Sequence, residues 1–304
     1  MNLYLAFDLG GTYLKYGIIN EEGIILEKGK VKTPQSGVEE LLSTIHSITE
    51  TFKKKYNIKL IAMSSPGAVD SKTGMIGGES AVEYIHGPNM MELIKKATNL
   101  DVYIENDAKC AALAEVWLGQ AKEYNDVIIV VIGSGIGGAI VKDRKIHYGK
   151  NLHGGEFGYM LIKKELGSDR YMNWSETSST ISLIEKVARR KNVSIDSLSG
   201  EMIFKLASEN DMDCIIELNE WYQTLAMGIF NLQYIYDPEV IIIGGGVSEQ
   251  PNLINEITKR TNDLVTNNGY ATVYPVIKRC LFHNDANLIG AVFGAIRHLK
   301  EHQV

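Results

Sequence analysis

Cysteine is scarce in this chain of 304 residues, and its three cysteines lie far apart. An odd number of widely separated cysteines offers no disulfide framework and predicts small buried side chains in a reducing compartment. No CxxC or HExxH pattern occurs, so the closely spaced ligands that are typical of zinc sites are missing too. The three are Cys110, Cys214 and Cys280.

Long apolar runs and long basic runs are also missing. Residues 1–20 contain the charged Asp8 and Lys15 and no basic segment followed by a long apolar one, so we expect no signal peptide, no membrane span and a cytoplasmic protein. A net charge of −6 without a basic run argues against a nucleic acid or an anionic membrane as partner. The composition, 45% hydrophobic and 22% charged, is that of a globular protein, and the length predicts two domains.

The chain has no Walker A sequence, but glycines directly follow its first apolar run. Residues 3–7 and 16–19 are apolar and flank a polar stretch with glycines, which predicts a strand, a tight turn and a returning strand. In such a turn, glycine N–H groups can meet an anion, a carboxylate can orient magnesium through water, and a hydroxyl or lysine can meet phosphate oxygens. An ordinary glycine hairpin is the alternative interpretation. The residues concerned are Asp8, Gly10, Gly11, Thr12 and Lys15.

The same pattern returns in the second half of the chain, where the apolar run 126–132 leads into the glycine turn Gly133–Gly138. The turn matches the dinucleotide-binding fingerprint, but that fingerprint requires a helix next, whereas residues 139–141 predict a strand. We therefore favour a second phosphate-binding hairpin, with Gly133 and Ser134 at the phosphates, over a loose connecting hairpin. A pattern that occurs twice predicts two related α/β lobes around a cleft.

Strands and helices alternate through the rest of the chain. A polar stretch near 119–125 interrupts the apolar pattern, so we predict an N-terminal domain over 1–120 and a C-terminal domain over 121–284, with the last helix, 285–304, packing back on the first domain. Other strands are predicted near 23–31, 59–63, 101–104 and 239–243, and helices at 38–56, 108–118, 179–191, 200–207, 212–236 and 285–301.

Several polar residues stand where predicted strands end. Asn106 and Asp107 begin a helix, where both types are favoured caps, but a carboxylate there can also accept a hydroxyl proton during phosphoryl transfer. Glu156 lies between glycines and Glu176 follows it; such carboxylates can hold vicinal sugar hydroxyls, with solvated or capping roles as the alternative. The run Gly244–Gly246 ends the strand 239–243 and either receives a purine or its ribose or forms a turn.

Together these motifs resemble the ROK family of sugar kinases and regulators over nearly the whole chain. The resemblance implies an α/β protein with the two-lobed ATPase fold of actin, Hsp70 and hexokinase, built from duplicated ribonuclease H-like lobes around a central cleft that holds ATP with Mg²⁺. It also implies a homodimer. The segments that carry it are Asp8–Lys15, Ser65–Asp70, Glu105–Ala108, Gly133–Gly138, Gly155–Gly158 and Pro238–Gly246.

The resemblance also implies a role for each candidate residue. Asp107 would be the general base for the sugar 6-hydroxyl, and the nucleoside would face Gly244 and Gly245. The other sugar contacts would be Gly67, Asn106, Glu156, Tyr159 and Glu176, and the phosphates and magnesium would be framed by Asp8, Gly10, Gly11, Thr12, Lys15, Gly133 and Ser134.

Two departures from the family pattern are informative. Many members have a histidine and a cysteine-rich zinc-binding run after the segment Gly155–Gly158; here Tyr159 stands at the histidine position, and Gly167–Glu176 contains no cysteine. We therefore predict that the protein holds no structural zinc. Tyr159 would either contact the anomeric hydroxyl or its substituent, or pack in the core.

The expected function is ATP-dependent transfer of the γ-phosphoryl group to the 6-hydroxyl of glucose, N-acetylmannosamine or a β-glucoside such as cellobiose. The alternatives are an inactive sugar sensor and an actin-like ATPase. Family repressors carry a DNA-binding module before the first hairpin, and here that hairpin begins at Leu3. Within residues 77–89, Glu83, His86 and Asn89 are candidate selectivity contacts, or else part of a surface loop.

Overall fold

The first glycine turn joins two buried strands that pair antiparallel, with Leu3 opposite Asn20 and Leu9 opposite Leu14. The computed structural model describes residues 2–301. Residue 1 and residues 302–304, which the predicted domains include, lie outside the described residues. The chain divides into two units. Unit 1 consists of the chain up to Lys122, the segment Tyr148–His153 and the chain from Asp285 onward, and unit 2 of Glu123–His147 and Gly154–Asn284.

Unit 1 contains one five-stranded sheet with the order β3-β2-β1-β4-β7. Its first three strands are antiparallel neighbours, and β4 and β7 continue the sheet in parallel with β1. Apolar residues on one stripe of α1 are buried, because their helical spacing puts them on one face. The elements are β1 (Leu3–Leu9), β2 (Tyr13–Asn20), β3 (Ile25–Lys32), α1 (Val38–Lys53), β4 (Ile58–Ser65), β5 (Ala68–Val69), β6 (Ile76–Gly77), α2 (Met90–Thr98), β7 (Val102–Asn106) and α3 (Asp107–Leu118).

Unit 2 repeats this topology with the sheet order β10-β9-β8-β13-β14. Its core lies between the sheet and the helices that follow it, and it includes the fully buried Trp174 and Trp221. The elements are β8 (Val127–Ile132), β9 (Ile136–Lys142), β10 (Lys145–Ile146), β11 (Leu161–Lys164), β12 (Tyr171–Asn173), α4 (Trp174–Ser178), α5 (Thr180–Lys191), α6 (Gly200–Ser208), α7 (Met212–Tyr236), β13 (Val240–Gly244), α8 (Leu253–Asn268) and β14 (Ile277–Arg279).

Most predicted elements are confirmed, including the strand after the second glycine turn. That strand is β9, which pairs antiparallel with β8, so the sequence that matches a dinucleotide fingerprint opens no helix. Sequence analysis missed α2, α8 and the small hairpins, whose patterns are short or polar. The predicted domains 1–120 and 121–284 remain a prediction about folding units. No helix among residues 2–301 combines the length and the apolar character that crossing a membrane requires.

The final helix, α9 (Ala286–Glu301), packs closely on α3 in unit 1. A Cβ added at Gly290 would lie 1.7 Å from the carbonyl oxygen of Cys110, and one at Gly294 would lie 2.6 Å from the Tyr103 ring. Only glycine allows the two helix backbones to approach this closely. The helix thereby joins the end of the chain to the element that begins with Asp107.

We predict that Gly290→Ala destabilises the protein by about 2 kcal/mol, because the added methyl group meets backbone that no side-chain rotation can move. The measurement is the denaturant midpoint of unfolding. Lys300→Ala, at an exposed position in the last turn of α9, is the control and should leave the midpoint unchanged. An unchanged midpoint for Gly290→Ala would contradict the close packing of α9 on α3.

Candidate active site

Asn106 ends β7 and caps α3, so the capping role considered for it is real. Its side-chain oxygen accepts the Lys109 N–H at 3.1 Å, while its amide nitrogen donates to the Gly67 carbonyl and to Asp107 Oδ1, both at 3.0 Å. Asp107 Oδ1 also accepts the Ala108 N–H at 2.8 Å. These two bonds orient the carboxylate, and the positive end of the α3 dipole stabilises its negative charge.

Gly67 lies in the loop between β4 and β5 with φ +96°, a conformation that other residues rarely adopt. An added Cβ would lie 2.9 Å from the Gly77 carbonyl oxygen and 3.0 Å from His86 Cε1. Glycine at this position therefore allows the paired strands β5 and β6 to pack next to Asn106. The His86 Nε2 is bonded to Ser80 Oγ at 2.9 Å. Of the other candidate selectivity contacts, Asn89 caps α2, and Glu83 is exposed in a 3₁₀ turn.

The first glycine turn presents a buried carboxylate. Asp8 is 5% exposed; its Oδ2 lies 3.2 Å from Lys15 Nζ, and its Oδ1 accepts the Asn287 amide N–H at 3.0 Å. The Gly10 N–H donates to the Tyr13 carbonyl at 3.0 Å, so this group closes the turn itself. Mg²⁺ keeps several waters and binds through one or two carboxylates and substrate phosphates, and a single carboxylate beside a lysine fits that requirement. At the tip of the turn, Gly11 and Thr12 are exposed.

Glu105, which precedes Asn106, is fully buried in β7. Its carboxylate accepts hydrogen bonds from the Tyr103 hydroxyl at 3.0 Å, the Tyr148 hydroxyl at 2.5 Å and the Asn106 N–H at 2.8 Å. Burial raises the pKa of Glu105, although the hydrogen bonds and the charge of Lys109 act in the opposite direction. Burial beside this carboxylate also raises the pKa of both tyrosines.

In unit 2, close backbone contacts fix the loop that carries Glu156. A Cβ at Gly155 would lie 2.7 Å from Ala139 Cα in β9, and one at Gly158 would lie 2.3 Å from both the Ile136 carbonyl oxygen and Ser175 Oγ. The loop is therefore pressed between β9 and α4. The Glu156 side chain is half-buried, and within residues 2–301 its carboxylate has no hydrogen bond or ion pair. A carboxylate held this way is available to a polar ligand.

Glu176 has a structural role in unit 2. It forms a capping box at the start of α4, where Asn173 accepts its N–H and its Oε2 accepts the Asn173 N–H at 2.8 Å. Its other carboxylate oxygen pairs with Arg170. Sequence analysis left a capping role open for this kind of carboxylate, but it did not find Arg170, whose position depends on the turn of the hairpin β11–β12.

Tyr159 is 72% exposed, so the interpretation that it packs in the core is wrong. It lies in the 3₁₀ turn Phe157–Tyr159, in which the neighbouring Phe157 supplies the buried ring. The geometry of the turn explains why Phe157 is buried and Tyr159 is exposed, because adjacent residues of one turn point in different directions.

In the described part of the chain, no three His, Cys, Asp or Glu residues form a group that could hold a metal ion.

The second glycine turn opens onto a pocket of about 590 Å³ within unit 2. Gly133 and Ser134 line it, and across from them lie the starts of two helices and the segment after β13. Gly245, with φ +88°, turns the chain at the end of β13, where its missing Cβ would lie 2.1 Å from the Ile132 carbonyl oxygen. Gly246, from the predicted glycine run, also lines the pocket, whereas the lining residues Thr180, Ile181, Phe204, Val247 and Gln250 were not among the candidate residues.

The candidate residues thus fall into two groups, one in each unit. Unit 1 holds the carboxylates at the ends of β1 and β7, and unit 2 holds the second glycine turn, the exposed Tyr159 and two glutamates. The unit 1 group is Asp8, Gly10, Gly11, Thr12, Lys15, Gly67, Asn106 and Asp107, and the unit 2 group is Gly133, Ser134, Glu156, Tyr159, Glu176, Gly244 and Gly245.

Known proteins share both the sequence and the architecture. The ROK family profile matches residues 4–297. The β-glucoside kinase of Klebsiella pneumoniae is 32% identical over 289 residues, 95% of this chain and 94% of that protein. A ROK family protein from Streptococcus pneumoniae, crystallised with sucrose, is 35% identical with a TM-score of 0.89 over 98% of this chain and 99% of that one.

The structure of a third relative contains both a sugar and a nucleotide analogue. The ROK family glucokinase of Streptomyces griseus, in complex with glucose and AMPPNP, is 25% identical with a TM-score of 0.82 over 95% of this chain and 98% of that one. These likenesses extend over both units, and they agree with the repeated sheet order of the actin and hexokinase ATPase fold. The protein belongs to the ROK family.

Proposed function

We propose that this protein is an ATP-dependent carbohydrate kinase that phosphorylates the 6-hydroxyl of the glucose unit in a β-glucoside. The start of α3 carries the proposal: it presents one carboxylate, Asp107, oriented by the Asn106 amide and the Ala108 N–H. Transfer of a phosphoryl group to an alcohol requires a fixed acceptor for the hydroxyl proton. As the sugar oxygen bonds to phosphorus and the bond to ADP breaks, that proton passes to Asp107.

Carboxylate and amide side chains bind the sugar in this proposal. The Glu156 carboxylate, half-buried and without a hydrogen bond or ion pair to any of residues 2–301, accepts hydrogen bonds from two sugar hydroxyls. Bonds to a charged acceptor contribute about 1.5–3 kcal/mol each, enough to select a polyol. Asn106 and Glu176 contact further hydroxyls, and the backbone at Gly67 lies along the ring.

The two glycine turns bind the nucleotide. Lys15 and Thr12 in the first turn and Ser134 in the second donate to phosphate oxygens, and the pocket beside Ser134 receives the nucleoside. Asp8 would hold Mg²⁺ through its water ligands, and the ion, when bound with ATP, would neutralise phosphate charge. Binding both substrates excludes water, which would otherwise compete for the phosphoryl group.

The β-glucoside is favoured over free glucose for two reasons. The exposed ring of Tyr159, at the histidine position of the family pattern that the sequence resembles, offers a flat apolar face on which a second sugar or an aglycone can stack. The K. pneumoniae relative is named a β-glucoside kinase. Glucose and N-acetylmannosamine are the competing substrates.

A substrate panel tests the proposal directly. Release of ADP is measured with cellobiose, glucose, N-acetylmannosamine and no sugar, and the phosphorylated carbon is identified by NMR. The proposal expects the highest kcat/KM with cellobiose and a 6-phosphate product. Binding of sugar without ADP release would instead indicate a sensor, and ADP release that ignores sugars would indicate an ATPase.

We predict that Asp107→Asn lowers kcat by about 10²–10⁴-fold, because the amide cannot accept the hydroxyl proton. Sugar affinity, measured by fluorescence titration, should change little, since an amide still hydrogen-bonds a hydroxyl. Asp101→Asn, the same substitution at an exposed residue just before β7, is the matched control and should keep the parent kcat. Turnover of Asp107→Asn near the parent value would refute the assigned base.

We predict that Tyr159→His shifts the ratio of kcat/KM for cellobiose to that for glucose by about tenfold toward glucose. The smaller ring removes the stacking face, and a contact of this size is worth roughly 1–3 kcal/mol. Tyr270→His, at a tyrosine that is 94% exposed after α8, is the control for surface effects. An unchanged ratio in Tyr159→His would mean that this tyrosine does not select the substrate.

A further inference from the structure

One short segment joins unit 1 although the chain on both sides of it belongs to unit 2. This strap, Tyr148–His153, follows the hairpin β9–β10 and directly precedes Gly154, where the loop that carries Glu156 begins. Its position in unit 1 therefore limits where that loop can start. Neither family motifs nor hydrophobic periodicity mark the strap in the sequence.

Two buried polar groups of unit 1 hold the strap. At its first residue, the Tyr148 hydroxyl donates to Glu105 Oε2 at 2.5 Å. Near its end, the Lys109 ammonium donates to the Leu152 carbonyl at 2.9 Å and lies 5.4 Å from the centre of the Tyr148 ring. Lys109 is only 1% exposed and Glu105 is fully buried. Charged groups removed from water form stronger and more directional hydrogen bonds than exposed ones.

The strap is strained at the residue that Lys109 binds. Leu152 has φ +65°, in the left-handed region that branched side chains avoid. Such a conformation persists only where neighbouring contacts fix it, and it is most frequent at functional sites. The bond from Lys109 is one such contact, and the strained residue lies four positions before Glu156.

The Glu105 carboxylate and the backbone of Lys109 also lie beside the catalytic base. Glu105 accepts the N–H of Asn106, the residue before Asp107, and the backbone N–H of Lys109 donates to the Asn106 side chain in the first turn of α3. The carboxylate of Glu105 therefore contacts both the strap and the backbone that carries the base. These bonds hold the end of the strap, after which the loop bearing Glu156 begins, on the same element that begins with Asp107.

We propose that Tyr148 and Lys109 are positioning residues: by anchoring the strap within unit 1, they fix the point in the chain at which the loop that carries Glu156 begins. The inference rests on the proposed function, since it assigns Glu156 to the sugar and Asp107 to its hydroxyl. Releasing the strap leaves both groups present but frees the start of the loop. The sugar hydroxyl is then held less accurately, and water gains access to the phosphoryl group.

The test uses the full chain with Tyr148→Phe and Lys109→Met, each of which removes one anchoring group and keeps most of the side-chain volume. Either variant is expected to lower kcat with the sugar by about tenfold to a hundredfold, as for other residues that orient catalytic groups. The KM for ATP should stay within about twofold of the parent value. The number of ADP molecules released per sugar phosphate formed should rise above one.

Tyr103→Phe separates anchoring from damage to Glu105. It removes the other tyrosine hydroxyl from the same carboxylate without touching the strap, so it should reduce kcat less than Tyr148→Phe does. Tyr236→Phe removes a hydroxyl that donates at 2.7 Å to the Val141 carbonyl in unit 2, and it should match the wild type. The thermal unfolding of every variant is measured first. The kinetic assays are then run at a temperature at which all the variants are folded.

Three outcomes overturn the inference. The first is that both Tyr148→Phe and Lys109→Met keep the wild-type kcat and release one ADP per sugar phosphate formed. The second is that Tyr148→Phe and Tyr103→Phe lower kcat by the same factor. The third is a loss of activity that merely follows the folded fraction, with one ADP per sugar phosphate. A wild-type protein that releases no sugar-dependent ADP overturns the proposed function itself, and the positioning role with it.

Discussion

Burial of the central strands on both faces determines where chemistry can occur in this protein. Strands β1 and β8 are almost entirely inaccessible to solvent, and a polar side chain inside either would cost several kcal/mol unless it were bonded. Carboxylates and glycines therefore appear where strands end. Asp8 follows this constraint: it is the one acid in β1, and both of its oxygens have donors, from Lys15 and Asn287.

The glycines of the motifs serve the shape of the protein at least as much as they serve a ligand. Gly158 lets its loop contact β9 and α4, and Gly245 lets the chain leave β13 against the end of β8. A side chain at either position would push apart the elements that carry Glu156 and line the unit 2 pocket. A glycine run can therefore form a tight turn and, in the proposed function, a binding motif at once, because close backbone packing shapes the surface around it.

Sequence reasoning was most successful where one short segment determines the result. The two hairpins, the strand after Gly138 and the helix that starts at Asp107 depend on local periodicity and turn chemistry, and all are confirmed. Partners distant in sequence escaped it. Asn287 reaches Asp8 from 279 positions away, and Tyr148 reaches Glu105 from 43. No local pattern encodes such contacts, because they exist only once separate elements pack together.

The repeated topology gives the two units the same scaffold. In each sheet order, a glycine of positive φ follows the fourth strand, Gly67 after β4 and Gly245 after β13. The fifth strands differ: β7 leads through Asn106 directly into α3, whereas β14 ends at Arg279 and a short 3₁₀ turn precedes the next helix. The junction after β7 therefore places Asp107 directly at a helix start. Under the proposed function, the same scaffold would supply a base in unit 1 and a nucleotide pocket in unit 2.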